Sequence, residues 1–151
     1  MTTSTLHEIP REQAPMALLL EADPNISLIA RYLQDSHCVV ARLDNAIVGA
    51  YVIKALTVDT WELMNIAVAP EHQGQGIGAL LLHHAIDQAR QLGAKRLELG
   101  TGSFGHQLTF YQRAGFRVVA VEPDYFLQHC PEPLFENGLR HRDRLRLALE
   151  L

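Results

Sequence analysis

Three glycines alternate with other residues in the segment Gln73-Gly74-Gln75-Gly76-Ile77-Gly78-Ala79, which follows a predicted strand and opens a predicted helix. Glycine lets the backbone approach a ligand closely and adopt a positive φ. The first N–H groups of a helix have no partner within the helix and carry a partial positive charge. No Asp or Glu occurs between His72 and Ile86, so the protein's own acids leave that position free. The segment therefore predicts a site for an external anion such as phosphate.

Two other interpretations of the same glycines stay open at this point. The segment could be a connection that only turns the chain. It also fits a dinucleotide-binding pattern, because Gly74, Gly76 and Ala79 match G-x-G-x-x-A and Glu98 lies about twenty residues further on, where an acid would bind a ribose. Against that pattern, residues 69–73 separate the glycines from the preceding strand, whereas a dinucleotide-binding glycine follows its strand directly.

Hydrophobic patterns predict the elements that must position this segment. Strands are predicted over 5–9, 37–43, 46–57, 60–68, 96–100, 116–121 and 139–151, and helices over 14–21, 24–33, 76–92 and 107–114. The polar pair Asp44-Asn45 predicts a tight hairpin. In the strand over 60–68, regular alternation places four side chains on one face: Trp61, Leu63, Asn65 and Ala67. The pattern predicts an α/β or α+β sandwich, with helices on both faces of a mixed sheet.

Two motifs in the chain resemble those of the GCN5-related N-acetyltransferase (GNAT) family. The sequence from Gln73 to Gly78 meets the family's acyl-CoA motif, Gln or Arg-x-x-Gly-x-Gly or Ala, and follows a strand over 62–68 and the pair Ala69-Pro70. The sequence from Phe110 to Phe116 is similar to the family's Tyr-x-x-x-Gly-Phe helix end. The likeness extends over nearly the whole chain. It implies one domain over residues 1–151, with a mostly antiparallel sheet of about six to seven strands.

The resemblance implies that acetyl-CoA is the acyl donor. The backbone N–H groups of Gln73, Gly74, Gln75, Gly76, Ile77, Gly78 and Ala79 would hold its diphosphate, and its pantetheine arm would lie along Ile66, Ala67 and Val68. The chain departs from many relatives in having no Lys or Arg from Ala55 to Ala89. Diphosphate binding would then depend on backbone dipoles, Gln73 and His72, and the outer phosphate of the cofactor would reach an arginine elsewhere. It also has Ser103 in a region where many relatives have Asn. Ser103 is predicted to cap the short helix and to reach the pantetheine.

The reaction implied by the resemblance moves two protons. An amine acceptor must lose a proton before it attacks the thioester, and the departing thiolate can take one up. Glu62 falls where several family members place the general base, and Tyr111 matches the usual general acid. Each residue also has a structural interpretation. Glu62 could be a strand acid satisfied by a neighbouring basic group, and Tyr111 could be an aromatic side chain packed on the sheet.

A long connection over 122–138 carries acids and aromatic rings, among them Tyr125 and Phe126. Long loops of this kind are usually functional. In the resembled family the region borders the acceptor site, so a small cationic amine is expected to lie against these rings, with Asn65 as a further substrate contact. The alternative for Asn65, which the residue type favours, is a local hydrogen bond. The sequence Phe135-Glu136-Asn137-Gly138, followed by Arg142-Asp143, resembles a bacterial subgroup of the family. The alternative to an N-acetyltransferase is a non-catalytic acyl-CoA-sensing or partner-binding module.

Composition and charge limit the binding partners and the cellular compartment expected for this chain. The chain has 151 residues and a net charge of −4, which argues against a nucleic-acid surface. No apolar run approaches the ~20 residues that span a bilayer, and the N-terminus lacks the layout of a secretion signal, so a cytoplasmic protein without a membrane partner is expected. His83 and His84 are adjacent and would point about 100° apart on a helix, and no metal is expected. Exposed edge strands are compatible with a homodimer.

Overall fold

The computed structural model describes residues 4–130 and 132–151; the first three residues of the polar N-terminus and Pro131 of the long connection lie outside these ranges. The strands are β1 (Thr5–Ile9), β2 (Ser36–Leu43), β3 (Ala46–Ala55), β4 (Thr60–Val68), β5 (Arg96–Gly102), β6 (Arg117–Glu122), β7 (Phe135–Glu136), β8 (Leu139–Arg140) and β9 (Arg144–Glu150). The helices are α1 (Met16–Ala22), α2 (Ile26–Leu33), α3 (Ile77–Gln91), α4 (Gln107–Arg113) and α5 (Tyr125–His129). No helix in the described ranges is long and apolar enough to cross a bilayer.

Seven strands form one sheet in the order β1-β2-β3-β4-β5-β9-β6. Every neighbouring pair in it is antiparallel except β4 and β5, which are parallel. The predicted hairpin joins β2 to β3, and both of its turn residues, Asp44 and Asn45, have a positive φ, as the tight turns that match strand twist require. The mixed, mostly antiparallel sheet confirms the predicted fold class.

Helices cover both faces of the sheet, so that the domain has two apolar layers. On one face α3 and α4 pack through residues such as Leu81, Ala85 and Tyr111. On the other face α1 and α2 pack through Leu19 and Ile29, both completely buried. Each of these four helices packs apolar side chains against the sheet, which is the principal source of stability for helices of this length.

A β-bulge in β4 changes the faces that its side chains occupy. Leu63 pairs with Ile53, and Asn65 pairs with the preceding residue Val52, so that Met64 is an extra residue on β4. Leu63 therefore contacts the layer beneath α3, whereas Asn65 hydrogen-bonds to Leu19 and Tyr32 in the layer beneath α1 and α2. The prediction that Trp61, Leu63, Asn65 and Ala67 share one face is wrong, because alternation ends at the bulge.

Strands β4 and β5 diverge immediately before this bulge. Their parallel pairing joins Thr60–Glu62 to Arg96–Glu98 and goes no further. Beyond Glu62, the edge of β4 that faces β5 has no neighbouring strand, and β5 continues as far as Gly102 in pairing with β9. The sheet therefore opens into a V-shaped gap between Leu63–Val68 and Leu99–Gly102.

Charged side chains connect three strands at the closed end of this gap. Arg146 of β9 donates hydrogen bonds to Glu62 of β4 and to Glu98 of β5, the latter at 3.0 Å. Arg96 donates to Glu98 at 2.8 Å and also to Glu150. Burial acts to raise the pKa of Glu98, but the hydrogen bonds from Arg96 and Arg146 outweigh it and hold that pKa below its usual value. Glu62, Glu98 and Arg146 are all largely shielded from solvent, so that the cluster holds the three strands together where the gap begins.

The C-terminal region differs from the single long strand predicted over 139–151. Leu139–Arg140 instead pairs with Phe135–Glu136 in a separate two-stranded hairpin, and β9 begins only at Arg144. The connection over 122–138 likewise contains the short helix α5 and one strand of that hairpin. The interruption between β8 and β9 places His141 beside the gap instead of in the sheet.

Replacing Arg146 by Met should lower the free energy of unfolding by about 3 kcal/mol, because it leaves the buried Glu62 carboxylate without its cationic partner. Arg90→Met is the matched control, since it breaks an exposed pair with Asp87 and should cost less than about 1 kcal/mol. Urea unfolding at pH 7 measures the free energy of both variants. Equal losses in the two variants would contradict the role of Arg146 in balancing the buried Glu62 carboxylate.

The native pKa of Glu98 lies below its unfolded value, so that the stability from that carboxylate is present above about pH 4 and is lost on acidification.

Candidate functional site

The glycine-rich segment forms an open loop at the start of α3. Gly74 and Gly76 have φ values of 78° and 84°, which non-glycine residues rarely adopt, and Gly76 occupies the N-cap position of α3. No side chain caps the helix, and its first turn contains no acid. Within the described residues, the N–H groups from Gly74 to Ala79 find no hydrogen-bond partner. The loop therefore presents a row of free donors at the positive end of a helix of 15 residues.

A cavity of about 380 Å³ lies in front of these donors, and we call it the loop cavity. It contains eight of the residues predicted to bind the cofactor: Ile66, Ala67, Val68, Gln73, Gly74, Gly76, Gly78 and Ala79. Gln75 and Ile77 are not in its lining, and the Ile77 side chain is buried in the core beneath α3. Gln73 donates from Nε2 to the Val68 carbonyl at 3.1 Å, a bond that joins the loop to the end of β4.

A second cavity, of about 370 Å³, occupies the other side of the gap between β4 and β5. We call it the aromatic cavity, because its walls include Phe104, Tyr125 and Phe126. It extends over Leu63–Ile66 of β4 and Leu99–Gly102 of β5, so that the divergence of the two strands creates it. The three residues predicted at the substrate, Asn65, Tyr125 and Phe126, all lie in its walls.

Tyr111 lines both cavities and therefore stands where they meet. Its ring packs against Phe110 and Phe116, and the residue is buried. Burial raises the pKa of Tyr111 to about 12, so that the phenol stays protonated at neutral pH. A protonated hydroxyl at the boundary between two cavities can donate a hydrogen bond or a proton to a group held there.

Glu62 lies away from both cavities, at the closed end of the gap. Its carboxylate accepts from Arg146, and its side chain is 9% exposed. This arrangement matches the structural interpretation of Glu62, in which a strand acid is paired with a neighbouring basic group. The structure does not bring Glu62 together with Tyr111 around a common cavity.

Asn65 combines local bonding with an unused acceptor. Its Nδ2 donates to the Leu19 carbonyl at 3.0 Å and to the Tyr32 hydroxyl at 2.9 Å. Because only the nitrogen of the amide can donate to a carbonyl, these bonds settle the orientation of the side chain. Its Oδ1 is buried and has no hydrogen-bond partner among the described residues. Asn65 thus serves the α1–β4 contact and also forms part of the aromatic cavity wall.

The prediction that Ser103 caps the short helix is wrong. Helix α4 begins at Gln107, its N-cap residue is His106, and Ser103 is exposed and lines neither cavity. The loop after β5 runs on for several residues before the helix starts, which removes Ser103 from the capping position. His106 and Gln107, which sequence reasoning missed, line both cavities instead. Their position directly before the Tyr111 motif is the sequence feature that could have indicated them.

Three further residues of the aromatic cavity were not predicted as site residues: Glu136, His141 and Arg144. The Arg144 guanidinium lies 3.6 Å from the centroid of the Tyr125 ring and donates to Glu122 at 2.6 Å. Glu136 and His141 hydrogen-bond to each other at 3.1 Å. Sequence alternation assigned His141 and Arg144 to one continuous strand, and this hid their approach to the cavity.

Comparison with known proteins identifies the family of this chain. A sequence profile of the acetyltransferase (GNAT) family matches residues 3–116, three quarters of the chain. The chain belongs to the GNAT acetyltransferase family. The match includes both motifs on which the resemblance was stated, and it confirms that resemblance.

Individual GNAT proteins are similar to this chain over most of its length. The uncharacterised N-acetyltransferase YvbK of Bacillus subtilis is 42% identical over 135 residues, which are 89% of this chain and 87% of YvbK. The structure of an IAA acetyltransferase from Bacillus cereus has a TM-score of 0.95 at 43% identity, and the similarity covers 99% of this chain and 100% of the Bacillus cereus chain. A GNAT acetyltransferase from Elizabethkingia anophelis, solved with acetyl-CoA bound, has a TM-score of 0.94 at 39% identity and covers 98% of each chain.

Replacing Gly76 by Ala should weaken acetyl-CoA binding at least about tenfold. An added Cβ meets no protein atom within 4 Å, and Gly76 lines the loop cavity, so that a methyl group there competes with the cofactor for space beside the donors. Gly93→Ala is the matched control, because Gly93 also has a positive φ and open space around it but lies at the far end of α3. Both variants should lose a similar ~1 kcal/mol of stability. Calorimetric titration with acetyl-CoA decides, and an unchanged affinity of the Gly76 variant would contradict the location of the site.

Proposed function

We propose that this protein transfers the acetyl group of acetyl-CoA to a primary amine of a small cationic acceptor, which attacks the thioester directly in a ternary complex. The observation that carries the proposal is the position of Tyr111 at the junction of two cavities. One cavity contains a row of free N–H donors, and the other contains acids and aromatic rings. A thioester held at this junction would be open to attack from the aromatic cavity.

The loop cavity would hold the cofactor through backbone N–H donors and not through the side chains of Lys or Arg. The diphosphate would accept hydrogen bonds from the N–H groups between Gln73 and Ala79, at the positive end of α3. The pantetheine arm would lie along Ile66–Val68, the edge of β4 that has no neighbouring strand, and its amides could pair with the backbone there as an added strand would. Because no Lys or Arg lies between Ala55 and Ala89, the affinity should depend only weakly on salt.

The charges of the aromatic cavity support a cationic acceptor. Asp23 and Glu136 contribute carboxylates to its walls. The one arginine among its described lining residues, Arg144, already pairs with Glu122 and stacks on Tyr125. The Tyr125 ring is already covered by Arg144 and His129, so the rings of Phe104 and Phe126 are the ones against which an ammonium group can lie. An anionic acceptor would instead meet two carboxylates.

Tyr111 is the general acid of the proposed reaction. When the carbon–sulfur bond breaks, the thiolate can take the phenolic proton, and Tyr111 recovers a proton from the newly acylated nitrogen. The raised pKa of Tyr111 keeps the phenol protonated at neutral pH, so that its hydroxyl is a hydrogen-bond donor when the thiolate forms. Its position in both cavity walls is what supports this role over simple packing.

A non-catalytic acyl-CoA sensor is the second candidate. The observation that favours it is Glu62, since the expected general base is engaged by Arg146 and lies outside both cavities. A sensor would keep the cofactor loop and lose turnover. The two candidates therefore differ in the release of free CoA and not in the binding of acetyl-CoA.

The test is a turnover screen with amines grouped by charge and size, in which the release of the CoA thiol is measured. Acetyl-CoA should raise the unfolding temperature, because a ligand that binds only the folded state stabilises it. Cationic amines should give the fastest CoA release. Fastest release with anionic amines would contradict the acceptor class, and stabilisation without release across the whole panel would support the sensor.

Tyr111→Phe should retain acetyl-CoA affinity and lower kcat about tenfold. The loss is expected to be smaller than the ~10² to 10⁴ typical of general acids, because a thiolate leaves readily. Tyr51→Phe is the matched control. It removes another buried phenol hydroxyl, one bonded to His84 and outside both cavities, and should leave kcat unchanged. Equal kcat values for wild type and Tyr111→Phe would leave Tyr111 with a packing role only.

A further inference from the structure

Glu136 and His141 form a hydrogen-bonded pair in the wall of the aromatic cavity. The two residues belong to the hairpin region that follows α5, and His141 Nε2 lies 3.1 Å from Glu136 Oε2. The His141 side chain is 14% exposed and that of Glu136 is 37% exposed. A backbone bond from the His141 N–H to the Leu134 carbonyl closes the same turn of chain. The pair is therefore held in position by both side-chain and backbone contacts.

The chemistry of the pair defines which nitrogen of His141 is free. An ionised carboxylate only accepts hydrogen bonds, so Nε2 must be the nitrogen that donates to Glu136. In a neutral imidazole, Nδ1 then carries the lone pair. No side chain or backbone group in the described ranges donates to Nδ1. His141 thus presents an unused proton acceptor backed by a carboxylate, the arrangement of a general base and its orienting group.

The surroundings of the ring place this nitrogen beside β5. A Cβ built on Gly102, the last residue of β5, would lie 3.3 Å from His141 Cε1 and 3.4 Å from Nδ1. The absence of a side chain at Gly102 therefore lets this edge of the imidazole approach the strand end at the gap. Phe104 and Phe126 contact the ring with centroid distances of 4.6 and 5.6 Å, both at steep angles. These contacts restrict the orientation of the imidazole.

We propose that His141 is the general base of the acetyl transfer, accepting a proton at Nδ1 from the acceptor ammonium, and that Glu136 is its positioning residue. The proposal rests on the proposed function. In the first step R–NH₃⁺ gives one proton to Nδ1 and becomes a neutral amine. The amine nitrogen then bonds to the thioester carbon, the carbon–sulfur bond breaks, and the second nitrogen-bound proton reaches the thiolate through Tyr111. The products are the acetylated amine, CoA thiol and a protonated His141, which releases its proton to water.

Other charged groups around the cavity do not offer the same chemistry. Arg144 cannot accept a proton, and it is paired with Glu122. His129 bonds through Nδ1 to the Tyr125 carbonyl and stacks on the Tyr125 ring. Asp23 accepts from the Asn25 N–H and from the Tyr32 hydroxyl. His106, the N-cap residue of α4, lines both cavities, but within the described residues no carboxylate hydrogen-bonds to its ring and orients it. Tyr111, Tyr125 and Cys130 are the other titratable residues of this wall whose charge bears on a pH profile.

The deciding experiment compares acceptors that differ in their need for a base. Ethylamine is almost entirely protonated at pH 7.5, whereas 2,2,2-trifluoroethylamine, nearly the same in size, is mostly neutral. His141→Gln retains a donor toward Glu136 but has no basic nitrogen. With acetyl-CoA and ethylamine this variant should lose about 10²-fold or more in kcat. With trifluoroethylamine it should remain within about threefold of wild type. A structural role for His141 would lower both rates equally, and that result would overturn the proposal.

The pH profile supplies an independent readout. Without the base, the residual rate of His141→Gln with ethylamine should follow the neutral fraction of the free amine, rising about tenfold per pH unit up to its pKa near ~10. A profile parallel to that of wild type would overturn the proposal. His83→Gln is the matched control, because His83 is exposed on α3 and outside both cavities.

A measurement without turnover separates this proposal from the proposed function. Long-range ¹⁵N spectra of the labelled protein should show His141 with a proton on Nε2 and a free Nδ1, and ethylammonium chloride should shift the Nδ1 signal. A proton on Nδ1 would overturn the base assignment even if the enzyme acetylates amines. If wild type acetylates neither amine nor any other of the screen, the proposed function fails and His141 has no proton to remove.

Discussion

The early end of the pairing between β4 and β5 is the constraint on which the rest of the structure depends. Two parallel strands that stay paired leave no space between them and no free backbone edge. Here the pairing ends at Glu62, and the extra residue Met64 then changes the course of β4. The Arg146 cluster holds the strands together on the closed side, where its charges are largely shielded from water. A closed end held by this cluster and a bulge directly beyond it together define the gap.

The gap explains why groups from distant parts of the sequence meet. Its β4 edge leads to the glycine loop at the start of α3, and its β5 edge leads through the loop 103–106 to α4 and Tyr111. The segment after β6 then covers the remaining side with α5 and the β7–β8 hairpin. Two cavities of similar size result, one with backbone donors and one with acids and rings, and Tyr111 separates them. Such a division suits a reaction that joins a large anionic donor to a small acceptor.

The electrostatics of the two cavities are complementary and are produced in different ways. At the loop cavity, positive potential comes from helix and loop N–H groups, since this stretch of chain has no basic side chain. At the aromatic cavity, Asp23 and Glu136 contribute carboxylates, and the guanidinium of Arg144 is already paired with Glu122. The proposed proton transfers follow the same division, because the phenol of Tyr111 lies where the cavities meet and the imidazole of His141, hydrogen-bonded to Glu136, lies in the wall of the aromatic cavity.

Local sequence was sufficient for features that depend on neighbouring residues. The glycine loop, the helix behind it and the hairpin at Asp44-Asn45 follow from backbone preferences and hydrophobic spacing, and two motifs were enough to indicate the family and its fold. Tertiary structure alone decided the features that depend on distant partners. The role of Glu62 depended on Arg146, which is 84 residues away in the chain, and the face taken by Asn65 depended on a bulge set by pairing with β3. The sequence predicted His141 to lie in a strand, because alternation of side chains does not show where a strand ends. Its place beside the cavity arises only when Glu136, Gly102 and two phenylalanines converge on it from separate elements.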